Sequence, residues 1–313
     1  MKIGVDIMGG DFAPKATVLG AILAQKDLPD DIQLVLIGDK EQITAVLEAE
    51  NADISKFEII HSSEVIEMGE HPAKAFAAKP KSSIAVGFGM LQKKMIDGFA
   101  SAGNTGSMLV GAMYTVKSIP GVIRPCISAE LPQYDGQPAL LLDVGLNPDC
   151  RPDVLYQYGV MGSVYAKEVY GIEDPKVALL NIGEEEQKGN LIAKSTFELM
   201  SGTKDFNFIG NIEANHLLGE NPADVVICDG FTGNVVLKEA EGIYKIIMQR
   251  GIKDDFFHRF NPEVHGGTPV IGINSPVIIG HGASSPKAIK AMILKTKDVI
   301  EAKVSEKLIE LYQ

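Results

Sequence analysis

The chain is poor in cysteine and has no surplus of positive charge. Cys126, Cys150 and Cys228 are its 3 cysteines, scattered and without a CxxC pair. That excludes a disulfide framework and points to a reducing, cytoplasmic setting. Lysine and arginine total 29 against 41 aspartates and glutamates, a formal net charge of −12. Nucleic-acid binders carry basic surfaces, so no nucleic-acid partner is expected. An acidic protein partner would need a local basic patch. No apolar run is long enough to span a bilayer, and the opening MKIGVDIMGGD reads as a strand with a charged turn rather than a signal peptide.

Several chemical signatures are missing as well. No GxGxxG follows the first strand, and no GxxxxGK followed by Ser or Thr occurs, so neither dinucleotide nor P-loop nucleotide is indicated. There is no HExxH, and His61, His71, His216, His258, His265 and His281 do not cluster at ligand spacing. No GxSxG elbow or catalytic cysteine signature appears. No metal and no cofactor are expected.

What is present is alternation. Short apolar runs at Ile3–Ile7, Ile32–Ile37, Phe57–Ile60, Ala139–Val144, Val177–Asn181, Phe206–Ile209, Val225–Cys228 and Val277–Ile279 are separated by helical patterns. This predicts an α/β fold, a mostly parallel sheet covered by helices as an αβα sandwich. With 313 residues, 45% of them hydrophobic, and no low-complexity linker, residues 1–313 read as a single α/β domain, with room for a small lobe from the middle. Five strand-ending loops are rich in Gly, Asn, Thr, Ser or Asp: Gly9–Asp11, Ser101–Gly106, Ile182–Asn190, Gly230–Asn234 and Gly280–Ser285. In an open parallel sheet such loops gather at the carboxyl edge, where ligands bind, and a shared cleft is expected. Each loop taken singly is also an ordinary strand-to-helix turn.

The stretch ADVVICDGFTGNVVLK, Ala223–Lys238, organises this reading. A buried strand, a turn at Asp229–Asn234 and a helix from Val235 place backbone N–H groups where an anion such as phosphate fits. Thr232 and Asn234 could add side-chain donors. In ALLNIGEEEQKGN, Glu184, Glu185 and Glu186 fall where a helix would begin; metal binding is the other reading. Lys188 offers a point charge for phosphate or an oxyanion, or it is a solvated surface lysine.

IGVDIMGGDFAP, SAGNTGS, LLNIGEEEQKGN, FIGNIE, VICDGFTGNVVLK and IIGHGASS, in this order, closely resemble the bacterial phosphate acyltransferase family of phospholipid synthesis. The resemblance runs from Met1 to the C-terminal helix. It implies transfer of a fatty acyl group from acyl carrier protein to inorganic phosphate, giving acyl phosphate for glycerol-3-phosphate acylation. It also implies a fold like that of phosphotransacetylases and isopropylmalate dehydrogenases, a homodimer, functional coupling to a glycerol-3-phosphate acyltransferase, and peripheral contact with the inner face of the cell membrane. The chemistry agrees. Phosphate is already ionised near neutral pH, and a simple thiol of pKa about 8.5 is a good leaving group. The protein must orient phosphate beside the thioester and stabilise the oxyanion.

Candidate catalytic residues are Lys188, Asp229 and Asn234. Gly230, Thr232 and Gly233 are expected to hold phosphate, with Asp229 either orienting a donor or merely capping the helix. Asp11, Gly103, Asn104 and Thr105 are further substrate-binding candidates, and His281 either protonates the departing thiolate or keeps a structural bond. For the acidic carrier protein, KAFAAKPK supplies Lys74, Lys79 and Lys81, extended by Lys93 and Lys94; a solvated charged face explains the same residues. Glu239–Asn261 carries an apolar stripe with basic neighbours. Both a membrane contact and a dimer interface account for it, and the shortness of the following segment favours the interface.

Overall fold

Strand β1 (Lys2–Asp6), helix α1 (Lys15–Gln25), β2 (Gln33–Gly38), α2 (Lys40–Ala49) and β3 (Phe57–His61) open the computed structural model, which describes residues 1–134, 138–220 and 222–312. Then come α3 (Pro72–Ala78), α4 (Ser83–Gln92), β4 (Gly98–Ser101) and α5 (Thr105–Gly111). The middle of the chain forms β5 (Cys126–Leu131), β6 (Ala139–Leu142), α6 (Pro152–Tyr170), β7 (Lys176–Asn181), α7 (Leu191–Met200), β8 (Asn207–Glu213), β9 (Val225–Ile227), α8 (Gly230–Gln249) and α9 (Asp255–His258). The last elements are α10 (Pro262–His265), β10 (Thr268–Ile271), β11 (Val277–Ile279), α11 (Pro286–Glu301) and α12 (Val304–Tyr312).

These elements make two compact units. Met1–Ser118 joins Pro262–Glu301 in the first, and Ile119–Asn261 joins the segment from Ala302 in the second. In the first unit the strands run in the order β3-β2-β1-β4-β11-β10. All neighbours are parallel except β10 against β11. Register is set by pairs such as Ile3 with Leu34, Val5 with Ala100, and Ile278 with Ala100. In the second unit the order is β5-β6-β9-β7-β8, parallel except β5 against β6. Leu141 sits beside Val226, and Leu179 beside Ile227.

Strand side chains alternate between faces, so a strand buried at every position is covered on both. Ile3 to Asp6, Leu34 to Gly38, Ala139 to Leu142 and Val225 to Ile227 are buried throughout. This is the α/β architecture of largely parallel strands flanked by helices. Local chemistry fixes element ends. Helix α6 begins at Pro152, whose fixed φ suits a first helical position, and ends at Gly171 with φ +71°.

The structure shifts several boundaries. Gly230–Asn234 is not a turn before a helix at Val235; it is the first turn of α8 itself. Glu184–Glu186 do not begin a helix: α7 starts at Leu191, capped by the Asn190 side chain accepting from Ala193 N. Helix α5 likewise starts at Thr105.

Candidate functional site

Because β1, β4 and β11 are mutually parallel, the loops that follow them meet at one sheet edge of the first unit. At their centre lies Asp6, fully buried at the end of β1. Its carboxylate accepts from Met8 N at 3.0 Å and from Ser101 Oγ at 2.6 Å, and Ser101 Oγ accepts from Gly103 N at 2.9 Å. Burial pushes the Asp6 carboxyl up, opposed by the hydrogen bonds from Ser101, Ser83, Met8 and Gly9. A Cβ on Gly9 would lie 2.4 Å from Asp6 Oδ2 and 2.6 Å from Gly103 N, so only glycine fits this crossing. Asp11, exposed, ties its backbone N–H to Gly282 O at 2.8 Å, joining the β1 loop to the β11 loop.

Asn104 is buried and works at both ends of its amide. Its Oδ1 accepts from Ser107 N at 2.9 Å, capping α5, while Nδ2 lies 3.1 Å from the carbonyl oxygens of Glu67, Met68 and Glu70. It therefore pins the loop before α3. Thr105 stays exposed beside it. His281 Nδ1 accepts from Ala283 N at 3.2 Å, which leaves Nε2 as the proton-bearing nitrogen of the neutral ring, on an exposed side chain.

Lys79 belongs to the same loop system. Its ammonium donates to Val65 O at 2.7 Å and to Glu70 at 2.5 Å. The Lys79 hydrogen bond, with one from Glu67 N, holds the Glu70 carboxyl below its ordinary range. Lys79 thus spends its charge inside the fold, whereas Lys74, Lys81, Lys93 and Lys94 are exposed.

In the second unit the loops after β6, β7 and β9 share the carboxyl edge. Asp229 is the N-cap of α8: Oδ1 accepts from Thr232 N at 2.8 Å and Oδ2 from Thr232 Oγ1 at 2.9 Å. Gly230 N donates to Asn147 O at 2.8 Å, and Gly233 N to Asp229 O at 3.0 Å. Several donors of this turn therefore already have protein partners. Asn234 is exposed, and its Nδ2 donates to Val144 O at 3.1 Å.

Lys188 lies on the loop between β7 and α7 with its side chain 46% exposed, and its ammonium is 3.6 Å from Glu185 Oε1. The loop itself is held. Asn181 Nδ2 donates to Lys188 O at 3.1 Å, and Asn211 Nδ2 to Glu185 O at 2.9 Å. Glu184 approaches His216 Nε2 at 3.8 Å. So Lys188 is a lysine on a fixed loop with a loose ionic partner, free to face an anion.

Two buried carboxylates at the heads of these loops escape a sequence reading, Asp6 and Asp143. Each lies just inside the end of its apolar run, Ile3–Ile7 or Ala139–Val144, and precedes a glycine loop, a signal shared with many capping aspartates. What distinguishes them is complete enclosure, which depends on strands distant in sequence.

The chemistry of the thiols narrows the mechanism. Cys126, Cys150 and Cys228 are all buried. Burial, chiefly, pushes Cys126 and Cys228 well up and Cys150 to about 11. None offers a thiolate at neutral pH.

The model of a family described as fatty acid synthesis protein matches residues 1–307. A phosphate acyltransferase of Dictyoglomus turgidum is 40% identical, the match covering 99% of this chain and 97% of the relative. One from Clostridioides difficile is 37% identical, covering 98% and 94%. Among solved structures, a phosphotransacetylase from Streptococcus pyogenes aligns with a TM-score of 0.68 at 18% identity over 98% of this chain and 94% of that one. The EutD phosphotransacetylase from Staphylococcus aureus gives 0.66 at 17%, over 96% and 94%. These structures share the fold. The chain belongs to the fatty acid synthesis protein family and, with its phosphate acyltransferase relatives, is an acyltransferase enzyme.

Proposed function

We propose that this enzyme transfers a fatty acyl group from acyl carrier protein to inorganic phosphate, forming acyl phosphate for phosphatidic acid synthesis. The observation that carries the reading is similarity, near 40% and over almost the whole chain, to proteins named phosphate acyltransferase. The site chemistry supports direct transfer. With all three thiols buried and protonated, phosphate itself is the nucleophile. A phosphate oxygen attacks the thioester carbonyl, the C–S bond breaks as the tetrahedral adduct collapses, and the carrier thiolate leaves. Lys188 neutralises phosphate or oxyanion charge. Asn234 adds a carboxamide at the start of α8, and Asp229 holds that first turn in shape while Gly230, Thr232 and Gly233 line it. Within the first unit, the exposed Asp11, Thr105 and His281 are the candidate substrate contacts, with Gly103 and Asn104 shaping their loop, and Lys81 contributes to carrier docking alongside Lys74.

The reading includes a homodimer. Helix α8 buries only Gly230 and Gly233 among its described residues, and leaves Ile243 46% and Ile246 58% exposed. A second copy, or a membrane surface, would cover that face. Among the described residues no helix is long and apolar enough to cross a membrane, so contact with lipid would be peripheral. Delivery to a glycerol-3-phosphate acyltransferase follows from the reactivity of acyl phosphate.

Incubation with palmitoyl-acyl carrier protein, trapping product with hydroxylamine, tests the reading. Hydroxamate that requires phosphate is expected; phosphate-dependent formation from acetyl-CoA with none from palmitoyl-acyl carrier protein would instead favour a phosphotransacetylase.

A further inference from the structure

The loop after β6 is built around a carboxylate that the catalytic reading leaves unused. Asp143 is fully buried. Its Oδ1 accepts from Ile127 N at 3.0 Å and Leu146 N at 3.3 Å. Oδ2 accepts from Asn147 N at 2.6 Å and Asn147 Nδ2 at 3.2 Å. Four donors match the acceptor capacity of an ionised carboxylate, roughly four lone-pair sites. Burial pushes the carboxyl up, and these same bonds oppose the rise.

Drawing the amides of Leu146 and Asn147 inward fixes where the carbonyls of this loop point. Val144 O receives Asn234 Nδ2, and Asn147 O receives Gly230 N. Gly233 packs so closely that a Cβ there would lie 2.0 Å from Asp143 O. The loop thus grips the first turn of α8 at Gly230, Gly233 and Asn234. With one N–H spent on Val144, the Asn234 amide presents its remaining atoms in a set direction.

We propose that Asp143 is a positioning residue for acyl transfer, holding residues 143–147 as the mould that orients the Asn234 carboxamide and the first turn of α8. This rests on the reading that Asn234 acts on the reacting groups. A structural carboxylate alone would set stability; a positioning one sets kcat through one particular side chain.

Asp143→Asn keeps the shape and replaces one acceptor oxygen with an amide that cannot accept. Its kcat should fall at least about tenfold with KM for phosphate within about threefold, as expected when geometry rather than ground-state binding is lost. In an Asn234→Ala background the same substitution should change kcat less than about twofold, because coupled residues are not additive. Equal losses in both backgrounds overturn the proposal and leave the role of Asn234 standing. Wild-type turnover in Asn234→Ala overturns that role and the proposal with it. Hydrogen exchange gives a readout free of turnover: in Asp143→Asn the first-turn amides of α8 should exchange about tenfold faster while Val225–Ile227 keep their protection. Unchanged α8 amides, or loss of protection across the unit, overturn the proposal. Should Asp143→Asn not fold, Asn147→Ala keeps the carboxylate and its backbone donors and enters the same cycle, with an expected kcat loss of about threefold.

Discussion

Gly233→Ala is the sharpest perturbation of the α8 turn. The added methyl would lie 2.0 Å from Asp143 O, 3.0 Å from Asp143 C and 3.0 Å from Cys228 Sγ, where ordinary contact begins at 3.4 Å. Two of these atoms are backbone at the end of a central strand, which cannot swing aside as a side-chain tip would. The start of α8 must therefore retreat by about an ångström, a displacement large enough to cost on the order of 100-fold in turnover. Overpacking of this kind destabilises by about 1–3 kcal/mol. Gly89→Ala is the matched control. It sits inside α4 with no atom within 4 Å of its would-be Cβ, so the gain in helix propensity should stabilise by about 0.5–1 kcal/mol. Urea denaturation and the hydroxamate assay on both variants decide the matter. A Gly233→Ala protein as stable and active as the wild type would refute the steric argument, and so would a destabilised Gly89→Ala.

Four further outcomes follow from the same structure. Lys188→Ala should lower turnover by about 100-fold, the scale of losing one oxyanion-stabilising donor, with its urea midpoint unchanged because its ionic partner among the described residues is the exposed Glu185; undiminished turnover would remove Lys188 from the mechanism. Lys81→Ala should raise the KM for acyl carrier protein and flatten its salt dependence, whereas Lys79→Ala should mainly lower stability, because Lys79 is tied to Val65 and Glu70; the reverse pattern would show the assignment to be mistaken. Iodoacetamide at pH 8 should label Cys126, Cys150 and Cys228 only when the chain is unfolded, and rapid labelling of the native enzyme with loss of activity would revive a covalent thiol mechanism. For Asp6, whose folded pKa burial raises above the ordinary carboxylate value, the folded state holds the proton more tightly than the unfolded one. Its contribution is then fully present below that value and is lost as pH rises through the folded pKa. The stability advantage of wild type over Asp6→Asn should accordingly grow as pH falls from 7 towards 4, and a difference constant with pH would count against the buried acid.

Parts of the fold were legible because their signals are local. The runs at Ile3–Ile7, Ile32–Ile37 and Val225–Cys228 are apolar at consecutive positions, which suits strands covered on both faces. Helix α4, SIAVGFGMLQ, carries almost no polar face, since Ile84, Phe88, Met90 and Leu91 are all buried; without a periodic contrast it does not announce itself. Strand β5, CISAEL, interrupts its apolar residues with Ser128 and Glu130, and so gave no continuous apolar run to read. The turn at Asp229–Asn234 looked like a loop because its glycines permit many conformations, yet the Asp229 cap and the close seat of Gly233 make it helical.

By itself the sequence determined the alternation of strand and helix, the glycine loops at strand ends, the capping option at Asp229, and a kinship carried by several long blocks. Those are properties of neighbours along the chain, where side-chain period and turn preference act within a few residues. Only the tertiary structure decided the partners: that Lys79 answers Glu70 and Val65, that Asn104 gathers three carbonyls from the preceding loop, and that Asp143 holds the mould for α8. Hydrogen bonds and burial depend on distances of a few ångströms between segments far apart in the chain, 90 positions for Asn234 and Val144. No local pattern encodes such a distance, because it exists only once the strands have chosen their order.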